Sequence, residues 1–415
     1  MNACKTCLLP LITCLLISCT SQAGDPRHRF AVETVDGVAT VVNNAVPKYS
    51  DELFEYEEVF RFREDPENEE SILFRPREIV QDDRGYFYIL DSGNTRIAVF
   101  DDNGVFARSI GREGEGPGDF RRPGTPIIHD GHLQIYDLGL RRLSIFTTDG
   151  EFVEVISLNQ MMGDHGIRMP MLVFRCEDGS LIINEDSVTS EEEKQLSIER
   201  VFCFEPDGSL RWQTETPQAQ IGAWVMFQGV RGLGARMPFA SRPAVSLDPV
   251  HGILVSPANE PVLLLYDLDG TLKRRIELQL EEMPFTATDR SVITDDWDER
   301  IRNASGPSVE QLQSMRDGLP FPERWPYWGS VAIDDAGYLW LKVSERALDY
   351  EVAGSGVLCR IISPAGEYIG NTRLPQGSGP TSHGCRIARL SDPDTDETIF
   401  VLYRVRSAVE GFTYP

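Results

Sequence analysis

The chain has 415 residues, of which 65 are acidic and 40 basic, giving a formal net charge of −25. So negative a surface repels free polyanions and argues against a nucleic-acid partner, while permitting a cationic one without requiring it. The length is large for one compact core, which favours an architecture of repeated units, each packed only on its neighbours.

The N-terminus reads as an address. Lys5 precedes an apolar stretch, Leu8 to Ser18, too short to span a bilayer as a stable helix. The run Leu16-Ile17-Ser18-Cys19 resembles the lipobox of bacterial lipoproteins, whose cysteine thiol receives a diacylglycerol and becomes the mature N-terminus. The resemblance implies a signal peptide over residues 1–18, lipidation of Cys19 and a linker over 19–29. Thr20, rather than Asp, after the cysteine favours the outer membrane of a Gram-negative cell, facing periplasm or surface. The rival is ordinary secretory cleavage after Ala23, since Ser21-Gln22-Ala23 fits a small-x-small site. Both routes lead to export, and no second apolar stretch is long enough to cross a membrane.

From residue 30 to 415 the chain repeats a unit of β-type runs with two glycine turns. The turn pairs fall at Gly85/Gly104, Gly131/Gly150, Gly179/Gly208, Gly252/Gly270 and Gly337/Gly366. Turns of the Asp-Gly and Asp-x-Gly kind supply the positive φ of tight hairpins, and β-branched and aromatic residues fill the strands between. Four strands per unit at this spacing predict an all-β, six-bladed β-propeller. The first blade runs from Arg77 to Ile110 and the second aligns with it, Asp91 on Asp137, Arg96 on Arg142, Phe100 on Phe146. The third spans Met171 to Thr214, with an acidic excursion at Glu191-Glu192-Glu193; the fourth spans Ala244 to Leu280 and the fifth Val331 to Leu374. The sixth has two strands, Cys385–Leu390 and Ile399–Val405. N-terminal runs near Ala39–Val42 and Glu57–Phe62 are expected to complete it, so that both termini close the ring and remove its sheet edges.

One stretch, about 286–326, reads as a helical insert before the fifth blade. Thr288 to Ile301 forms one segment. Ser308-Val309-Glu310-Gln311 has the form of a capping box, and Gly318 sits at a C-cap. The insert is either a helical pair packed on one face or a lid. Of eight cysteines, Cys176, Cys203, Cys359 and Cys385 lie in the blades, where one or two disulfides or buried free thiols are both expected readings.

Arg96-Ile97-Ala98-Val99-Phe100-Asp101-x-x-Gly104 resembles the NHL repeat, as does the linker Gly111 to Pro123. The lipobox, the opening Val35-Asp36-Gly37-Val38, the run Gly114-x-Gly116-Pro117-Gly118-x-Phe120 and Ala336-Gly337-Tyr338-Leu339-Trp340 together resemble bacterial six-bladed β-propeller lipoproteins and secreted proteins related to NHL domains. That resemblance implies the architecture and leaves the activity open.

The glycine-rich linker is a poor phosphate loop, because Glu113, Glu115 and Asp119 surround it and no helix start follows. Gly-x-Ser-x-Gly and His-Glu-x-x-His are absent from the sequence, and no Cys-x-x-Cys occurs among the cysteines that follow the signal segment. The loops that enter each blade converge on one channel mouth and carry Arg75, Arg77, Arg121, Arg122, His165, Arg168, Arg242, Trp328 and His383. From these, Arg77, Arg121, His165, Arg168, Arg242, Trp328 and His383 are the candidate ligand-binding set, suited to a carboxylate or sugar acid; the alternative is that the arginines bridge blades and pair with the abundant carboxylates. Asp91 and Asp137 are expected to hold loop amides. The favoured function is a binding or scaffold module for a glycan, peptide or protein, with no cofactor. The alternative is a metal-dependent lactonase-type hydrolase or a lyase, which would need Ca²⁺ or Zn²⁺ ligands in the channel, with Glu78 and Asp334 as contributors.

Overall fold

The computed structural model describes residues 24–62, 68–191, 194–227, 230–257, 259–305, 308–343, 356–375, 378–382, 384–391 and 398–414. Three strands come first: β1 (Phe30–Val35), β2 (Val38–Asn44) and β3 (Phe54–Arg61). Blade I is β4 (Pro76–Gln81), β5 (Phe87–Asp91), β6 (Arg96–Phe100) and β7 (Phe106–Ile110). Blade II is β8 (Pro123–His129), β9 (His132–Asp137), β10 (Arg142–Thr147) and β11 (Phe152–Ser157), followed by the short helix α1 (Asn159–Asp164). Blade III is β12 (Pro170–Arg175), β13 (Leu181–Glu191), β14 (Lys194–Phe204) and β15 (Leu210–Glu215), and the far end of β14 also carries a hairpin, β16 (Ala219–Phe227) and β17 (Val230–Arg236). Blade IV is β18 (Ala244–Asp248), β19 (Gly252–Ser256), β20 (Val262–Tyr266) and β21 (Leu272–Gln279). Helices α2 (Ala287–Asn303) and α3 (Ser308–Asp317) follow. Blade V is β22 (Ser330–Ile333), β23 (Leu339–Lys342), β24 (Val357–Ile362) and β25 (Tyr368–Leu374). Blade VI is β26 (Ser378–Ser382), β27 (Cys385–Ser391), β28 (Thr398–Ser407) and, antiparallel to β28, the N-terminal β3.

Six apolar clusters hold these sheets, one at each junction. Leu90, Ile97 and Val99 of blade I meet Leu133, Ile135 and Phe146 of blade II. Tyr136 and Ile145 of blade II meet Ile183 and Phe202 of blade III. Phe174 and Ile182 of blade III meet Ile253 and Val255 of blade IV. Blade IV meets blade V through Leu254, Leu263, Leu339 and Leu341, and blade V meets blade VI through Trp340, Ile361, Phe54 and Val405. The circuit returns to its start where Phe400 and Leu402 of blade VI pack on Phe87, Ile89 and Phe100 of blade I. Burial of apolar area at about 25 cal/mol per Å² acts at every junction, so the second and third strands are buried on both faces and carry no polar alternation.

The turns are set locally. All ten turn glycines have positive φ, from 68° to 101°. At the first turn, Gly85 has φ 87°, and the Asp82 carboxylate accepts the amides of Arg84 and Tyr86 (3.0 and 2.9 Å) and the buried Tyr88 hydroxyl (2.9 Å). Asp334 repeats the device. It accepts the amides of Ala336 and Tyr338 (3.1 and 2.7 Å), the Trp340 indole (2.7 Å) and the Tyr414 hydroxyl (2.5 Å). A carboxylate that closes its own turn in this way is an Asx turn.

One expectation changes. The strand holding Ala39–Val42 does not join blade VI. It runs parallel to β21 and, with β1, extends blade IV to six strands. A capping box is present at Thr286, whose hydroxyl accepts the Asp289 amide (3.2 Å) while Asp289 accepts the Thr286 amide (2.8 Å); the one expected at Ser308 falls on a side chain outside those described.

Candidate functional site at the loop face

In each blade the first strand is innermost. β4 lies against β8, β8 against β12 and β18 against β22. These strands are half-buried where the second strands are fully buried, as a central channel requires. The loops that precede them therefore share one end of the ring, and the glycine turns that follow them share the other.

At the loop end, the inner strands of blades VI, I, II and III are bulged at their first residues, while those of blades IV and V keep unbroken register. Three of the bulges begin at a proline, Pro76, Pro123 or Pro170. A proline has no N–H to give the ladder, so it is tolerated at the first strand residue or at a bulge. The bulge leaves Arg77 and Glu78, Gly124 and Thr125, and Met171 unpaired, and such residues are re-aimed relative to a regular strand.

Buried carboxylates fix the loops just outside the bulges. Asp91, at the end of β5, accepts the Phe74 amide (2.7 Å) and is neutralised by Arg96 (2.9 Å). Asp137, at the same position of β9, accepts the amides of Arg121, Arg122 and Leu140 (2.7, 3.0 and 2.8 Å). Glu185, on β13, accepts the amides of Arg168 and Met169 (2.6 and 3.2 Å) and pairs with Arg200. All three carboxylates are buried. Their lone pairs are consumed by backbone and by their own arginines, so the side chains they present stay free. Arg77, Arg122 and Arg168 are exposed and donate no side-chain hydrogen bond among the described residues.

A second polar group lies between blades III and IV. Asp186 and Glu199 face each other across β13 and β14. Asp186 is bound by Arg242 (2.9 Å) and Ser197 (3.1 Å), and Glu199 by the Asn184 amide alone (3.0 Å). Burial pushes Glu199 up to about 7; the Asn184 bond lowers it, the Asp186 charge raises it and Arg242 lowers it again.

Comparison with known proteins bears on the architecture. The family described as a 6-bladed beta-propeller matches residues 66–201. Over those residues the chain is similar to that family, and its own six sheets give it a six-bladed architecture. A protein of Bacteroides fragilis assigned as exported has 10% identity to it and a TM-score of 0.50, with 88% of this chain and 100% of that one covered. A member of another family of unassigned function, from Bacteroides vulgatus, has 10% identity over 86% and 99% of the two chains with a TM-score of 0.42. Virginiamycin B lyase of Staphylococcus aureus has 12% identity over 78% and 75%, with a TM-score of 0.34. At these identities the likeness is one of fold. No curated protein matches the chain in sequence.

The propeller distributes the sequence-predicted residues unevenly. Arg77 and Arg168 stand free at the mouth, joined by Arg122. Arg121 is at the same mouth but pairs with Glu115, and Arg242 belongs to the Asp186 group. His165 and Trp328 stand apart from this set. His165 caps α1 and sets its ring against Phe204 (centroids 5.1 Å apart), as a packing residue. Trp328 is buried in the blade IV–V core with its indole on Ser256 (2.6 Å). His383 and Cys19 lie outside the described residues. Glu78 and Asp334 sit at opposite ends of their inner strands, and the Asp334 carboxylate is fully engaged, so they cannot share an ion. Among the described residues, no group of three or more His, Cys, Asp or Glu is placed to hold a metal, and no helix is long and apolar enough to cross a membrane.

Among the described residues, none of the four blade cysteines is joined in a disulfide. Cys176 follows β12 and Cys203 is on β14, with β13 between them, so their backbones are about two strand spacings apart (roughly 9.6 Å), beyond disulfide reach. Cys359 and Cys385 belong to different junctions. At the turn end, two adjoining grooves of about 310 and 470 Å³ are lined by His129, Cys176, Glu177 and Asp178 in common. Signals for the mouth arginines were present as Arg122-Pro123 and Arg168-x-Pro170 at the entry to two inner strands and as Pro76-Arg77 at the start of a third. Asp186 and Glu199 had none, because their proximity depends on the pairing of β13 with β14.

Proposed function

We propose that this propeller is an exported binding module, lipid-anchored through Cys19 at the outer membrane, that takes an anionic ligand at its loop face: a carboxylate or sugar acid, alone or carried by a glycan or peptide. The supporting observation is the set of unneutralised arginines, Arg77, Arg122 and Arg168, one from each of three successive blades, in a chain of net charge −25. Arginine's planar fork matches a carboxylate bidentately. The bulges and buried carboxylates hold the loops in place before a ligand arrives, which reduces the ordering cost of binding. In this reading β3 and β28 close the ring at blade VI, and α2 and α3 form an insert between blades IV and V in sequence, with α3 against the β16–β17 hairpin of blade III.

The test is equilibrium titration of the purified protein with glucuronate and with glucose. Glucuronate is expected to bind at least about tenfold tighter, and Arg77→Ala with Arg168→Ala to remove that margin. Equal binding of the two sugars, or an unaffected double variant, overturns the proposal. The lactonase- or lyase-type alternative is favoured by one observation, the Glu199 carboxyl, raised by burial to about 7 and set opposite a second carboxylate, Asp186, on the neighbouring strand. Turnover of lactone or ester substrates that is lost in Glu199→Gln would support it over the binding module.

A further inference from the structure

The exposed apolar side chains of this propeller fall into two groups. Most belong to outer strands or turns, such as Phe152, Val153 and Val155 on β11 or Val250 at a turn. The second group, Ile72, Phe74, Met169 and Met171, lies at the loops that lead into blades I and III, with 40%, 53%, 50% and 57% of their surfaces exposed. These residues alternate in sequence with the free arginines: Phe74-Arg75-Pro76-Arg77 in blade I and Arg168-Met169-Pro170-Met171 in blade III. The backbone of each group is pinned by the carboxylate clamp, Phe74 by Asp91 and Met169 by Glu185, and Met171 is itself the bulged residue of β12.

Large apolar groups held exposed at a rigid backbone position are unfavourable in water unless something covers them. Methionine is the side chain best able to repack around apolar bodies of varied shape. Phe74 also has the Arg75 guanidinium over its ring, 5.2 Å from the centroid, so cation and apolar face are presented together. A bare sugar acid would satisfy the arginines and leave these four side chains wet.

Resting on the anion reading above, we infer that the loop face binds an amphiphilic carboxylate, with its anionic head on Arg77, Arg122 and Arg168 and its acyl or aryl body across Phe74, Met169 and Met171. The occupant is argued from charge complementarity: an uncharged amphiphile would leave the arginines unneutralised, and a hydrophilic anion would leave the apolar group uncovered.

Dodecanoate, glucuronate and dodecyl maltoside, each below its aggregation threshold, are titrated into the purified protein. Dodecanoate is expected to bind at least about tenfold tighter than either of the others. Phe74→Ser with Met171→Gln is expected to weaken dodecanoate at least about tenfold and leave glucuronate unchanged. Both replaced side chains are exposed, so the thermal melt of this variant should coincide with that of the parent. If glucuronate binds through Arg77 and Arg168 but dodecanoate gains nothing over it, the amphiphile inference falls and the anion reading stands. If dodecanoate and dodecyl maltoside bind alike and the arginine variants change neither, both fall.

Discussion

Glu199→Gln tests the electrostatics of the blade III–IV junction directly. Glu199 is half-buried, receives one hydrogen bond, and faces a second carboxylate that Arg242 already claims. Its carboxyl is raised from the ordinary 4.5 to about 7. Below the lower value both folded and unfolded chains hold the proton, and the site carries no penalty. Between the two values the unfolded chain ionises first, so stability falls as pH rises, and above about 7 the loss is complete. A full shift of this size corresponds to about 3.4 kcal/mol at about 1.36 kcal/mol per unit; solvent access to a half-buried group reduces it to about 1–2 kcal/mol. Glutamine keeps the acceptor for Asn184 and adds a donor that Asp186 can accept. The variant should therefore be more stable than the parent by about 1–2 kcal/mol near pH 8 and nearly equal to it below pH 4.5. Urea unfolding at several pH values measures this, and taking the difference between the two proteins removes the contribution of every other carboxylate. A difference that does not change between those pH values would refute the reasoning, as would a variant less stable at the higher one.

Four further outcomes are expected. Cys19→Ala should move the protein from the membrane fraction to the soluble one in a fractionated cell; unchanged membrane association would exclude the lipid anchor. Tyr414→Phe removes a hydroxyl from the buried Asp334 carboxylate and should cost about 1–2 kcal/mol in denaturant unfolding, with no change expected if the C-terminal turn is undocked in solution. Asp137→Ala strands three loop amides, on Arg121, Arg122 and Leu140, and should cost about 3 kcal/mol or more, whereas Asp137→Asn retains an acceptor and should lose less. Excision of residues 286–322 with a short glycine join should leave a single cooperative melt at lower temperature. The amide of Phe285 already bonds the carbonyl of Glu323 (3.0 Å), so the cut ends are neighbours, and none of the six junction clusters draws on the excised residues; two melting steps would show that they belong to the core.

What sequence made legible is what neighbouring residues decide. An Asp followed three positions later by Gly sets a turn within one hairpin, and blades I to V fall close to where those turns predict them. Pairings between distant segments left no such mark. The Val38–Asn44 strand is a β-branched run that suits any exposed edge, and only the structure assigns it to β21. The β16–β17 hairpin was missed because Gly222 and Gly234 interrupt the strand pattern. They are small because Gln195 fills the space; a Cβ on Gly234 would lie 1.7 Å from its side-chain nitrogen. The bulges at Pro76, Pro123 and Pro170 are properties of register, and register belongs to two strands at once.

The two ends of the ring use carboxylates differently, and that difference separates scaffold from site. At the turn end, Asp82 and Asp334 accept from amides of their own turn and from a buried aromatic donor of the second strand, so the hairpin is locked from within, and Asp334 accepts the C-terminal Tyr414 hydroxyl as well. At the loop end, Asp91, Asp137 and Glu185 reach instead to the segment entering their blade, some 15 to 17 residues earlier in sequence. The loop backbone is thereby fixed without calling on its own side chains. In a protein with 65 acidic and 40 basic residues an exposed arginine would ordinarily find a carboxylate; at this mouth the nearest buried ones are already filled by amides or by Arg96 and Arg200. Arg77, Arg122 and Arg168 are left without a carboxylate partner among the described residues in an acidic protein because the backbone has the first claim on the buried carboxylates beside them.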